Sequence, residues 1–386
     1  MPGALKKPKF QNLVVSESMN SSFSLSDTGS FSQENFTFGP NGITQSPLSN
    51  GEVSSLRLDQ LSGWFAIGRG NSSRVYRATH TPTGRQLAVK VLQAELEGSR
   101  ESRHMLLNEI KVVFNACSDH LIAFHDAFLH DGAIYLALEL MDCGSIEGLL
   151  RAASQTPEGV VPEGVNASLV LQILQGLTYL HRERTSVHRD LKPANVLLNS
   201  AGFVKLSDFG ISKQLGSGTY AQAGTVVGTL AYMSPERVRG ESYGFSSDVW
   251  SLGLIALEVA IGQYPYPGAR NYFDLVQTII EGPLPTEKPE VQQRLPPDLL
   301  QLVHGCLSKS AHERPDVITL TRYPFLVRHA AAPLDLRAYL LSMLPKLQQQ
   351  GQPQASARAE AHSHAQGEAF PSHEEPPAED MTCDQG

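Results

Sequence analysis

Hydrophobic and polar positions change their rhythm part-way along this chain. Trp64–Gly70, Arg74–His80 and Gln86–Leu92 are short apolar-rich runs broken by Gly, Asn and Thr-Gly turns, the pattern of half-buried strands. A helix is predicted over about Arg100–Phe114, followed by strands near His120–Leu129 and Ile134–Leu140. After Gly144 the apolar spacing becomes helical over Asn166–Arg182, Ser247–Ile261, Tyr272–Glu281 and Pro297–Leu307. One interruption is a small apolar hairpin, Asn195–Leu198 and Phe203–Leu206, around a turn at Asn199–Gly202. A strand-rich part followed by a helical part predicts an α+β fold of two lobes, with a ligand cleft between them.

The periodic block runs from about residue 61 to 325 and is bounded by polar tails. Residues 1–58 are rich in Ser, Asn, Gln and Gly and carry little periodicity, so they are expected to lack fixed structure. Residues 347–386 turn to Gln, Ala, His, Glu and Pro, again without a core pattern. Between block and tail, Leu336, Tyr339, Leu340, Met343 and Leu344 recur at helical spacing after Pro333, which predicts a helix over 333–346.

Composition narrows the class. The chain has 386 residues and a net charge of −8, which argues against nucleic acid as the main partner. No apolar run approaches the length of a membrane span, and the basic N-terminus lacks the apolar block of a signal peptide. Four cysteines show no paired or metal-ligand spacing and read as free thiols in a reducing compartment, cytoplasmic or nuclear.

The chemistry concentrates in Val187–Leu198, VHRDLKPANVLL, followed ten residues later by Asp208-Phe209-Gly210. Upstream stand a glycine-rich run, Ile67-Gly68-Arg69-Gly70-Asn71-Ser72-Ser73-Arg74-Val75, and a lysine inside an apolar strand, Leu87-Ala88-Val89-Lys90-Val91-Leu92. Strand alternation puts Ala88 and Lys90 on one face. On the helix predicted over 100–114, Met105, Leu106 and Val113 flank Glu109, so this carboxylate lies on the apolar face and needs a partner.

These strings together resemble the eukaryotic protein kinases, and that resemblance implies a bilobal fold with a β-rich N-lobe and an α-helical C-lobe. It implies ATP and Mg as cofactors, with Ile67, Gly68, Gly70, Val75 and Ala88 around the nucleotide and Lys90 on its phosphates, paired to Glu109. The third family glycine is Ser73 here. Ala137–Met141 resembles the hinge, with Leu138 as gatekeeper and the backbone of Glu139 and Met141 facing the adenine. Asp190 takes the role of base, Lys192 neutralises the transferring phosphate, and Asn195 and Asp208 hold magnesium. Glu236 is expected to pair with Arg314, and Asp248 to brace the catalytic loop.

Ile211–Leu215 after the Asp-Phe-Gly, and Val227–Arg237, VGTLAYMSPER, resemble the MAP kinase kinases. That family phosphorylates Thr and Tyr of a MAP kinase activation loop and is itself activated by an upstream MAP kinase kinase kinase. Counting back from Val227, the regulatory positions fall on Thr219 and Thr225, the spacing of the plant or algal type, with Ala221 at the animal-type first site. Lys6-Lys7-Pro8-Lys9 followed by Leu13-Val14-Val15 resembles a MAP kinase docking site, and the helix over 333–346 a docking element for the upstream kinase, with packing onto the C-lobe as its plainer alternative. A Ser/Thr kinase of another cascade tier and a silent nucleotide-binding scaffold are the rival readings.

Overall fold

The computed structural model describes residues 56–69, 73–93, 118–130, 133–209, 230–267 and 271–350, together with the backbone of four short strands between residues 23 and 45. Those four strands, β1 (Phe23–Leu25), β2 (Phe31–Gln33), β3 (Phe36–Gly39) and β4 (Gly42–Gln45), form an antiparallel meander. Sequence reasoning expects no fixed structure there. The strands are three or four residues long, too short for an alternating pattern to stand out among the surrounding Ser and Asn.

The N-lobe is a five-stranded antiparallel sheet in the order β5-β6-β7-β9-β8, with β5 Leu61–Arg69, β6 Ser73–His80, β7 Arg85–Gln93, β8 Phe124–His130 and β9 Ala133–Glu139. Its two faces have different fates. Leu87 and Val89 point into a small core with Leu61, Ala78, Phe128 and Ala137. Ala88 and Lys90 point the other way, toward the second lobe, as period two requires. Register places Ala88 opposite Leu138 and Lys90 opposite Leu136 on β9.

The C-lobe holds the larger core. Its helices are α1 (Ile146–Ala153), α2 (Glu163–Thr178), α3 (Pro235–Val238), α4 (Phe245–Ile261), α5 (Tyr272–Ile280), α6 (Pro289–Arg294), α7 (Pro297–Cys306), α8 (Val317–Leu320), α9 (Pro324–Ala331) and α10 (Leu336–Gln350). Helix α4 is buried almost all round, the mark of a helix at the centre of a lobe. It lies so close to α7 that a Cβ on Gly253 would come within 2.6 Å of the Cβ of Cys306. Asn166 of α2 reaches across to donate to the carbonyl of Ala256.

The hairpin β10 (Val196–Leu198) and β11 (Val204–Leu206) forms as expected. Gln172 of α2 is spliced into its turn end, donating to the Gly202 carbonyl at 3.1 Å and accepting from Val204 N at 2.9 Å. Gly202 has a positive φ of 88°, and any side chain there would press on the backbone of Arg337 in α10. Helix α10 starts three residues later than the predicted span and packs onto the C-lobe, with Leu336, Leu340 and Met343 buried.

Candidate active site

The backbone of the catalytic loop is fixed from below by one buried carboxylate. Asp248, in the first turn of α4, accepts from the backbone N–H of His188 at 2.8 Å and of Arg189 at 3.1 Å, and pairs with His181 Nε2 at 2.8 Å. Arg189 is thereby held at a φ of +73°, a conformation a non-glycine residue adopts only when its surroundings impose it. Its carbonyl accepts a further bond from Arg237 Nη1. The Nε of Arg189 is buried and finds no partner among the described residues. His188 is fully buried, and burial lowers its pKa against the raising influence of Asp248, Asp190 and Asp208. It packs edge-on against Phe209 as a neutral filler.

With that loop fixed, three polar side chains converge. Lys192 Nζ lies 2.9 and 3.1 Å from the two carboxylate oxygens of Asp190. Asn195 Nδ2 donates to the Asp190 carbonyl at 2.7 Å and to its carboxylate at 2.8 Å. These bonds orient the amide so that its Oδ1 points away from Asp190. The Asn195 carbonyl in turn accepts from the backbone N–H and the hydroxyl of Ser207, which ties the loop to the residue before Asp208.

Asp208 also stands at positive φ, 56°, and its Oδ1 meets Lys90 Nζ at 2.5 Å. The N-lobe lysine and the C-lobe carboxylate thus face one another across the cleft, and both side chains are largely sheltered. Sequence reasoning pairs Lys90 with Glu109 instead. Glu109 lies outside the described residues, as do Gly70, Thr219, Thr225 and the segment Lys6–Val15; the partner of Lys90 among the described residues is Asp208. Asp208 and Asn195 together offer carboxylate and amide oxygens, hard donors of the kind a small divalent cation takes. No cluster of three or more His, Cys, Asp or Glu suited to a metal occurs among the described residues. Any cation here would therefore draw the rest of its shell from water and the nucleotide's phosphates.

The N-lobe residues expected around a nucleotide adjoin in register: Gly68 opposite Val75, Val75 opposite Lys90, and Ala88 opposite Leu138. Ile67 remains exposed at the mouth of the cleft. At the end of β9 the chain passes through Leu140 and Met141 into a turn, where the Met141 carbonyl accepts from Gly144 N.

Below the site, Arg314 grips Glu236 with two parallel bonds of 2.8 Å and stacks over Trp250 at 5.2 Å. Burial alone would raise the pKa of Glu236. Hydrogen bonds from Arg314 and Ser247 overcome this and bring it to about 2. Just before it, Tyr232 donates to Glu258 at 2.6 Å and anchors the segment that leads into α3. Sequence reasoning missed Gln172, His181 and Tyr232, whose partners lie 26 to 67 residues away.

The protein kinase domain model matches residues 65–326. Mitogen-activated protein kinase kinase 3 of Arabidopsis thaliana is 37% identical over 344 residues, covering 85% of this chain and 64% of that protein. A mitogen-activated protein kinase kinase of Nicotiana tabacum is 34% identical over 350 residues, 87% of this chain and 95% of its own length. A dual specificity mitogen-activated protein kinase kinase of Dictyostelium discoideum is 38% identical over 253 residues, 66% of this chain and 36% of that protein. The chain thus spans just under two thirds of the first relative and nearly all of the second. Among the described residues no helix is long and apolar enough to cross a membrane.

Proposed function

This chain belongs to the protein kinase family and, within it, to the MAP kinase kinases, and we propose that it transfers the γ-phosphate of ATP to both Thr and Tyr of a MAP kinase activation loop. The observation that carries the chemistry is the convergence of Asp190, Lys192 and Asn195 on one side of the cleft with the Lys90–Asp208 pair spanning it. Membership implies ATP and a divalent metal; in our reading the metal is Mg, held by Asn195 Oδ1 and Asp208 and supplying charge neutralisation at the phosphates.

In this reading Asp190 accepts the proton of the incoming hydroxyl. Lys192, already on that carboxylate, swings its charge toward the transferring phosphoryl group. Lys90 moves from Asp208 to the α- and β-phosphates once nucleotide enters. The base and its neighbours fix one another by direct bonds, the geometry a positioning mechanism needs. A kinase upstream phosphorylates Thr219 and Thr225. The basic-apolar segment Lys6–Val15 recruits the MAP kinase, and the protein acts in the cytoplasm or nucleus.

The test is to incubate the purified chain, carrying Asp at both 219 and 225, with ATP, Mg and a catalytically dead MAP kinase and to map the phosphosites. Phosphate on both Thr and Tyr of the Thr-x-Tyr loop is the expected result. Phosphate on Ser or Thr elsewhere would move the chain to another tier, and no transfer at all would make it a scaffold. Deleting residues 1–15 should weaken phosphorylation of the MAP kinase and spare a generic peptide.

A further inference from the structure

Behind the hinge, on the side away from the nucleotide, a second charged pair joins the two lobes. Glu139, the last residue of β9, meets Lys205 of β11 at 2.8 Å. The side chains are 12% and 21% exposed for Lys205 and Glu139, so water screens this pair far less than an exposed one. The same Glu139 oxygen accepts from Ala123 N at 3.2 Å, while Glu139 N donates to the Ala123 carbonyl at 2.9 Å. One residue therefore binds the entry to β8 with its backbone and its side chain together.

That entry segment is stitched to the strand preceding Asp208. Leu206 N donates to the His120 carbonyl at 2.9 Å, and Ile122 N to the Leu206 carbonyl at 3.0 Å. His120 Nδ1 adds a contact with the Val204 carbonyl. A continuous path thus runs from Glu139 through Ala123 and Ile122 to Leu206, two residues before Asp208. Lys205 closes the same path directly, salt-bridged to one end and covalently joined to the other.

We propose that the Glu139–Lys205 pair is a positioning device for nucleotide binding: it holds the hinge backbone at Glu139–Met141 in register with the strand that delivers Asp208, so that adenine and phosphate ends of one ATP are met together. Neither side chain touches the nucleotide. The proposal rests on the reading of Glu139–Met141 as the adenine-facing segment. His125 belongs to the same cluster, and its Nε2 is buried without a partner among the described residues. Burial, and then the charges of Arg85 and Lys205, lower its pKa against the pull of Glu139, so His125 stays neutral beside the pair. Lys205 is accordingly the cation that Glu139 contacts directly, and its removal leaves a sheltered carboxylate with the Ala123 N–H as its partner among the described residues.

The experiment measures displacement of a fluorescent ATP analogue by ATP on the full chain, beside thermal unfolding without nucleotide. Lys205→Met should weaken ATP about fivefold, within the usual span of coupling between sites. Its KM for ATP should rise while kcat and the KM for protein substrate stay within about twofold of wild type. Lys205→Arg should restore binding. Glu139→Gln keeps an acceptor for Ala123 but loses the charge, and it gives the same answer if Lys205→Met folds poorly. The double variant should bind no more weakly than the weaker single, because one interaction is lost only once. Unchanged ATP affinity in both singles, or additive losses, would overturn the coupling. A wild-type chain that binds no ATP would overturn the nucleotide site beneath it instead.

Discussion

Lys192 Nζ sits astride the carboxylate of Asp190, within 3.1 Å of both oxygens. The base is thus held and aimed by two neighbours, with Asn195 on its other flank. Asp190→Asn retains the size and the bond to Lys192 but cannot take a proton. We expect it to lower kcat by roughly 10²–10⁴, the usual contribution of a positioned base, with ATP affinity little changed. Single-turnover transfer to a dead MAP kinase measures this, and a variant within tenfold of wild type would contradict the assignment.

Arg189 presents a buried guanidinium nitrogen with no partner among the described residues, on a backbone that Asp248 and Arg237 hold still. A phosphate on the activation segment would supply that partner. Thr219→Asp/Thr225→Asp should raise kcat/KM at least about tenfold, and Arg189→Ala should erase the ratio between mimetic and unmodified forms. An equal gain with and without Arg189 would remove it from the switch.

Glu236 has a folded pKa of about 2 against an ordinary value of 4.5. A depressed carboxylate adds stability that is fully present above the ordinary value and disappears as pH falls from about 4.5 toward 2. Unfolding midpoints in denaturant should therefore drop through that window, and drop less in Glu236→Gln. Arg314→Met leaves a buried charge unpaired and should cost about 3–5 kcal/mol at neutral pH.

Leu340 of α10 is fully buried against the C-lobe. Leu340→Ala should cost about 2–5 kcal/mol of stability, visible as a lowered melting temperature. A negligible shift would mean that α10 rests loosely on the lobe and is free to serve another partner.

Much of this was legible because the chemistry lies in contiguous strings. Asp190, Lys192 and Asn195 fall within six residues, and the β10–β11 hairpin brings Asp208 back beside them. The boundaries of α4, α5 and α7 were readable to within two residues, since each carries a sustained helical period. Helix α1 escaped because it is only eight residues long, two turns, too short to sustain a helical period although Ile146, Leu149, Ala152 and Ala153 share one buried face. Asp248 was readable from its motif, but its third ligand, His181, was not: the two are 67 residues apart and meet only because α2 and α4 pack together. Glu139 and Lys205 were invisible as a pair for the same reason, separated by 66 residues and joined by a strand only three residues long.

The seam between His120–Ala123 and Leu206 has a mechanical consequence. The lobes are joined by the covalent thread that leaves β9 and again, a few ångströms away, by backbone hydrogen bonds to β11. A body pinned at two points keeps a single axis of rotation. Twisting and sliding of one lobe over the other are suppressed, and what survives is a one-dimensional opening and closing, so a ligand that shifts one edge of the cleft must move the other edge with it.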